Sequence, residues 1–304
     1  MNFSYREKKN IMNNKSVIVT GAAGFTGYSL TKELSDRGYT VYAVVRPGSD
    51  HNYRLADMKN VRIIELDVGE IDRLLEYVDK SPFAMIHLVW EGERYVSESQ
   101  NVNIKDTLKV LNTTHTLGCR RFICTGSQAE YGATKKTQME DMIPNPFCAY
   151  GAAKVAACYL SRYRAKELGI DWIWGRIFSL YGTYEPHGRM LPDLVRMLKQ
   201  NEPVNLSSCC QNWDYLHVKD AAEAIIALME FGKSGEIYNI ANGSYRKLKD
   251  YVEEAKEILG SDSELIYGED PNPFVSLQPS VQKISDDTGW KPKISFSKGI
   301  VSGF

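Results

Sequence analysis

The stretch that decides the fold is TGAAGFTG, residues 20–27. It follows a short β-branched run, Ser16–Thr20 (SVIVT), and opens a segment with helical apolar spacing over 25–37 that stops at Gly38. Gly21, Gly24 and Gly27 give the spacing GxxGxxG. The first glycine permits a tight turn, the second lets backbone approach a pyrophosphate, and the third lets helix and strand pack closely. The helix N-terminus then favours phosphate charge. Phe25 and Thr26 belong to the same loop. A glycine triplet alone is a weak signal, but one between a first strand and a first helix is a strong one for a dinucleotide.

Outward from the loop, strand and helix alternate. Strands are expected at Thr40–Val45, Val61–Glu65, 83–89, 121–124 and 171–174, and helices at 71–78, 96–117 and Ala149–Leu168. That alternation predicts a parallel sheet covered on both faces, with right-handed crossovers. The fold class is α/β, a doubly wound parallel (Rossmann) sheet with a smaller C-terminal substrate lobe. After residue 178, Gly182, Pro186, Gly188, Pro192 and Pro203 break the pattern. A βαβ-like stretch returns at 213–240, followed by a helix over 247–259 and a loop at 271–279. The reading assigns 14–178 and 213–241 to a dinucleotide-binding domain and 179–212 and 242–304 to the substrate lobe. The polar residues 1–13 read as a disordered leader.

Composition narrows the partners. The 304 residues are 43% hydrophobic and 25% charged, with net charge −1, so nothing calls for nucleic acid or an acidic membrane surface. No apolar run reaches the roughly 18–20 residues of a spanning helix, and the N-terminus lacks the apolar core of a signal peptide. Cys119, Cys124, Cys148, Cys158, Cys209 and Cys210 form no CxxC pair and no metal-spaced cluster with histidine. They read as reduced thiols of a cytoplasmic protein, with no metal site.

The second strand bears on the dinucleotide. An acid roughly 20 residues after the loop would hold a ribose 2′-hydroxyl, as NAD requires. The strand instead runs TVYAVVRPGSD (40–50) and ends at Arg46, which pairs well with a 2′-phosphate. Ser49 can add a hydrogen bond. NADP(H) is favoured. NAD(H) remains the alternative if Asp50 turns back to the ribose.

The chemistry is carried by three further residues. FICTGSQAEYG (122–132) places Ser127 at the end of the fifth strand, and YGAAK (150–154) places Tyr150 and Lys154 on one helix face. An ammonium beside a phenol lowers its pKa from about 10, and a cationic nicotinamide lowers it further, giving an acid/base group near neutral pH. Ser127 would stabilise a developing alkoxide.

With these residues in place, the chain resembles an extended short-chain dehydrogenase/reductase of the nucleotide-sugar epimerase/dehydratase family, over roughly residues 14–300. Besides the glycine loop and YGAAK, the resemblance rests on HLVWEG (87–92), NIKDTLKVL (103–111), GSQAEYG (126–132), GRIFSLYG (175–182), DYLHVKDAAEAI (214–225) and DDTGWKP (286–292). It implies that Asp67, with Val68 beside it, meets adenine. It implies that Val89 lines the dinucleotide groove and that Asn103, counted with the cofactor-binding set, braces the active-site helix. It implies a nucleotide-sugar substrate, and a homodimer through helices 96–117 and 149–168.

Within the family, 4,6-dehydratases carry an Asp-Glu pair beside the serine. Here those positions are Gln128 and Ala129, neither of which ionises. GSQAEYG together with WDYLHVKDAAEAI is most similar to the branch containing the cytidine-diphosphate-abequose synthases. That resemblance implies NADPH-dependent reduction of the 4-keto group of a nucleotide-linked 4-keto-6-deoxy sugar, with Tyr150 as proton donor and Lys154 also on the nicotinamide ribose. The alternative is an NAD-dependent 4-epimerase. A non-catalytic NADP-binding sensor is disfavoured, because Ser127, Tyr150 and Lys154 are all present.

There are departures from the family pattern. The arginine expected before the Asp of DYLHV is Trp213, a later one is missing from NPFVSLQ, and the Asn of the R-x-x-N stretch is Ser179. Arg189 becomes the candidate for the diphosphate, with Arg196 second. Trp213 could stack on a nucleobase, and Glu130 could face the sugar.

Overall fold

The computed structural model describes residues 15–78 and 81–303, so the leader expected at 1–13 lies outside the described residues. The strands are β1 (Ser16–Thr20), β2 (Thr40–Val45), β3 (Val61–Glu65), β4 (Ala84–His87), β5 (Arg121–Ser127), β6 (Asp171–Ile177), β7 (Ser179–Tyr181), β8 (Val204–Leu206), β9 (Asn212–Trp213), β10 (Tyr215–His217), β11 (Glu236–Ile240), β12 (Arg246–Lys247) and β13 (Leu265–Tyr267). The α-helices are α1 (Phe25–Asp36), α2 (Ser97–Thr116), α3 (Ala149–Leu168), α4 (Met190–Lys199), α5 (Val218–Phe231), α6 (Leu248–Leu259), α7 (Gln282–Thr288) and α8 (Phe296–Gly303).

Seven strands form one parallel sheet in the order β11-β6-β5-β4-β1-β2-β3. The order reverses between β1 and β4, and the glycine loop leaves β1 at that switch point, where ligands bind in such sheets. Along β1 the side chains alternate. Val17 and Val19 join the core beneath α1 and α5, and Ile18 joins the one beneath α2 and α3. β5 and β6 run three residues beyond their expected ends, which carries Ser127 and Arg176 into the sheet. The helix expected at 71–78 is a 3-10 stretch, Val68–Glu76, broken at Glu70.

The lobe has its own core. Leu194, Leu198, Tyr215, Tyr251, Val252 and Phe296 meet there, with Tyr251 and Phe296 edge to face at 4.7 Å. One segment departs from the expected division: Ile284 and Trp290, inside the 242–304 range, pack against the sheet's α1/α5 side. Asp287 of α7 accepts from the Tyr238 hydroxyl at 2.8 Å, which ties that segment to β11.

The loop geometry sets the helix position. Gly21 has φ +70°, and a Cβ on Gly27 would lie 2.0 Å from the Gly21 carbonyl oxygen. Gly27→Ala must push α1 off β1, so it is expected to destabilise the fold by about 1–3 kcal/mol, read as a lowered Tm. An unchanged Tm would contradict this packing.

Candidate active site

The glycine loop is pinned by its own backbone. Gly21 N–H donates to the Val44 carbonyl at 3.0 Å, and Gly24 N–H to the Gly21 carbonyl at 3.0 Å. Gly24 is the N-cap of α1 and supplies no side-chain cap, so the first helical N–H groups face outward without one. Beside the loop lies a cavity of about 260 Å³ that carries Arg46, Ser49, Asp67, Val68 and Val89. Asp50 is exposed and does not line it, whereas His51 and Asn52 do. The Asn52 Oδ1 is buried there without a hydrogen-bond partner. A glycine-lined helix start, a free buried acceptor and an arginine at the rim fit the adenosine half of a dinucleotide. Arg46 is exposed and shares its charge with Glu91, 3.3 Å away.

A second cavity, about 720 Å³, begins at Gly21, Gly24, Phe25, Thr26 and Gly27 and extends under the lobe. Ser127, Tyr150 and Lys154 line it, as do Ser179, Arg189 and Trp213 from the lobe side. Trp90 borders both cavities. The structure therefore brings the glycine loop, the three expected catalytic residues and three of the four expected substrate residues to one cleft.

Glu130 is the exception, and that expectation is corrected. It is fully buried and outside the cleft lining. Its Oε1 accepts the Ser127 N–H at 2.9 Å and the Trp174 indole N–H at 2.9 Å, while Oε2 accepts Arg176 Nε at 2.7 Å. The Ser127 hydroxyl accepts the Ala129 N–H at 3.2 Å, closing a capping box on the turn Gln128–Glu130. Glu130 thus positions Ser127 rather than touching a substrate.

Asn103 is corrected in the same way. Its Oδ1 accepts the Glu91 N–H at 2.9 Å and its Nδ2 donates to the Glu91 carbonyl at 2.8 Å. Both ends of the amide are used on the loop after β4, and the side chain reaches neither cavity.

Lys154 is fully buried. Its ammonium donates to the Thr125 carbonyl at 2.7 Å and sits 3.6 Å from the Trp90 ring centroid. Burial pulls its pKa down to about 8. Tyr150 behaves differently from the sequence expectation. Burial raises its phenol above the usual range, and the Ser127 hydroxyl and the Arg94 charge only partly oppose this. The reason is that Lys154 points at Thr125 and Trp90, with its ammonium 5.9 Å from the Tyr150 ring centroid. His87, in the HLVWEG stretch, is buried and held neutral, its pKa pushed down to about 3. Its Nδ1 lies 2.8 Å from the Thr20 hydroxyl, joining the ends of β1 and β4.

Trp90, Arg94 and Glu185 are among the cleft residues that escaped the sequence reading. Arg94 offers its carbonyl to the Tyr150 N–H at 3.0 Å and its guanidinium lies 5.4 Å from the Tyr150 ring centroid. None of the three sits on a periodic element, so no spacing marks them. The cysteines are free, Cys210 alone being exposed, and burial pushes Cys124 up to about 12. Among the described residues no cluster of His, Cys, Asp or Glu could hold a metal, and no helix is long and apolar enough to cross a membrane.

Comparison with known proteins places this cleft in context. The family described as "NAD dependent epimerase/dehydratase family" matches residues 17–241. The CDP-abequose synthase of Salmonella muenchen is 23% identical, with 94% of this chain and 96% of the relative covered. The UDP-glucose 4-epimerase of Thermotoga maritima, solved with UDP-glucose, superposes with TM-score 0.84 at 25% identity, covering 94% of this chain and 96% of that one. RMD from Pseudomonas aeruginosa, solved with NADPH, has TM-score 0.78 at 23% identity, with 94% and 96% covered.

The buried ammonium makes a testable demand on stability. With its pKa at about 8 in the folded protein, below its unfolded value, the unfolded chain holds more protons between about pH 8 and 10.5. Stability therefore rises with pH across that window, and the cost of the buried charge is full below it. Lys154→Met is expected to raise the Tm of the cofactor-free protein at pH 7, by an effect of at most about 3 kcal/mol. The gain should shrink from pH 8 upward. Thermal melts across pH check this, and a gap independent of pH would contradict it.

Proposed function

The chain belongs to the NAD-dependent epimerase/dehydratase family, among the extended short-chain dehydrogenase/reductases, and from that premise we propose that it reduces the 4-keto group of a nucleotide-linked 4-keto-6-deoxy sugar with NADPH. One observation carries the reading. Ser127, Tyr150 and Lys154 share a cleft with the glycine loop, while Gln128 and Ala129 stand beside Ser127 and Glu130 is locked onto Arg176. The cleft can move a proton at a carbonyl oxygen, and neither Gln128 nor Ala129 supplies a carboxylate to drive elimination at a neighbouring carbon.

The residues fit their tasks. The glycine loop would hold the cofactor's diphosphate, Asp67 and Val68 its adenine, and Arg46 with Ser49 its 2′-phosphate. Bound there, the nicotinamide supplies the hydride. Tyr150 gives its proton to the oxygen, and Ser127 donates a hydrogen bond to the same oxygen. The raised pKa of Tyr150 keeps that proton in place beforehand, which suits a donor in reduction better than a base in oxidation. Lys154 would bind the nicotinamide ribose and bring positive charge toward the phenol. Arg189 is assigned the diphosphate of the sugar nucleotide, with Trp213 and Ser179 lining the same cleft.

A specific observation favours the second reading, an NAD-dependent 4-epimerase. Glu91 sits on Arg46 and would repel a 2′-phosphate unless it swings away. The two readings divide on cofactor choice.

The helices α2 and α3 pack together and expose Val102, Tyr159, Leu160 and Tyr163. We assign this apolar face to a homodimer in which both helices pair with their copies, in a protein working in the cytoplasm with its thiols reduced. Tyr163→Glu is expected to give a monomer by light scattering. A persisting dimer would place the interface elsewhere.

Mixing the protein with NADPH and a nucleotide-linked 4-keto-6-deoxy sugar should oxidise the cofactor, and Tyr150→Phe should lose about 10²–10⁴-fold in rate with NADPH affinity intact. Unchanged turnover would remove Tyr150 from the chemistry. Arg46→Ala should weaken NADPH by about 10–100-fold, the worth of a charge-assisted contact, and leave NADH unaffected. Equal effects on both dinucleotides would move Arg46 off the 2′-phosphate.

A further inference from the structure

After β7 the chain turns through Gly182, with φ +128°, and Tyr184, with φ +66°. Tyr184 is not a glycine, and a left-handed backbone of this kind is strained for a bulky residue and persists only where the surroundings hold it. The neighbours are present. The Tyr184 ring stands edge-on to Tyr28 of α1 at 4.7 Å, and the Arg54 guanidinium lies 4.1 Å from its centroid. Arg54 in turn donates to the Ala23 carbonyl at 3.1 Å, inside the glycine loop. A strained residue is thereby clamped to the dinucleotide side of the cleft.

The clamp has a consequence for the next residue. Glu185 lines the large cleft, half-buried, and its Oε2 is withdrawn from solvent with no hydrogen-bond partner. Burial pushes the carboxyl up to about 7, against the pull of the Arg189 charge and of the Gly182 N–H. Oε2 itself meets no protein donor. A diphosphate would be repelled by it, and Arg189, on the same wall, already offers the phosphates a cation. What remains is a neutral donor, and the cleft that holds Glu185 also holds Ser127 and Tyr150, where the sugar must lie.

We infer that Glu185 forms a sugar-reading subsite, its free carboxylate oxygen accepting a hydrogen bond from a ring hydroxyl of the substrate. The inference rests on the nucleotide-sugar reading above. The Tyr184 clamp sets where that oxygen stands, so the subsite is built together with the dinucleotide site.

The test is calorimetric titration of the dinucleotide-loaded protein. The probes are UDP-glucose, CDP-glucose, GDP-mannose and dTDP-glucose, each beside its own nucleoside diphosphate. Wild type is expected to bind at least one sugar nucleotide more tightly than the matching diphosphate. In Glu185→Ala that sugar nucleotide should weaken by about 10-fold or more, the worth of a hydrogen bond to a charged group, with the diphosphate changed by less than about 2-fold. Glu185→Gln, which keeps an acceptor oxygen, should recover part of the loss. Unchanged dinucleotide affinity in both variants shows that the fold is intact. Equal losses for sugar nucleotide and diphosphate, or none, would overturn the subsite alone. Failure of wild type to bind any of the pairs would overturn the nucleotide-sugar reading and the subsite with it.

Discussion

A fully buried carboxylate holds this active site together. Glu130 faces Arg176 at 2.7 Å, both side chains almost fully buried. Bringing two charges out of water is costly, and their attraction offsets the cost only when geometry is good and the other polar atoms are satisfied. Both conditions hold here. Glu130 also takes the N–H of Ser127 and of Trp174, and Arg176 reaches the Glu140 carbonyl at 3.2 Å. Neighbouring strands β5 and β6 are thus pinned at the point where they reach the cleft, with Gly126 in register with Arg176. Gly126 has to lack a side chain, because a Cβ there would lie 2.0 Å from the Trp174 indole nitrogen. The Ser127 hydroxyl inherits its position from this arrangement.

The same buried charge shapes the electrostatics of the chemistry. Desolvation dominates at Lys154 and at Tyr150, and it acts in opposite senses on the two, against the ammonium and against the phenolate. The negative field of Glu130 partly restores the lysine's charge and further holds the proton on the tyrosine. A protonated phenol is the state from which Tyr150 can give its proton to a carbonyl oxygen. Trp90 takes part as well, since its ring faces the Lys154 ammonium and it borders both cavities.

Much of this was legible in the chain. Glycine spacing located the loop, because only glycine tolerates both the φ of Gly21 and the contact at Gly27. Alternation of strand and helix gave the sheet, and the four-residue interval from Tyr150 to Lys154 put both on one face of α3. Glu130 was misplaced for a reason that local sequence does not carry. Its partners Trp174 and Arg176 lie 44 and 46 residues away and meet it only through the pairing of β5 with β6. Asn103 shows the same limit, since its target is a backbone loop rather than a ligand. Glu185 and Arg94 stand on irregular segments, where neither period nor cap announces a side chain's direction. The return of Ile284 and Trp290 to the sheet reflects packing between distant segments, which hydrophobic pattern alone does not assign to one core or the other.

The central claim is a single net hydride transfer from NADPH, as opposed to a cycle that returns the hydride to its origin. The most direct measurement is to denature the purified protein, identify any released dinucleotide by mass, and then titrate the stripped protein with NADPH and NADH separately. The account calls for no retained NAD and for clear preference for NADPH, with Glu91 yielding Arg46 to the 2′-phosphate. Stoichiometric NAD released from the protein, together with indifference to NADPH, would contradict it and make the enzyme an epimerase.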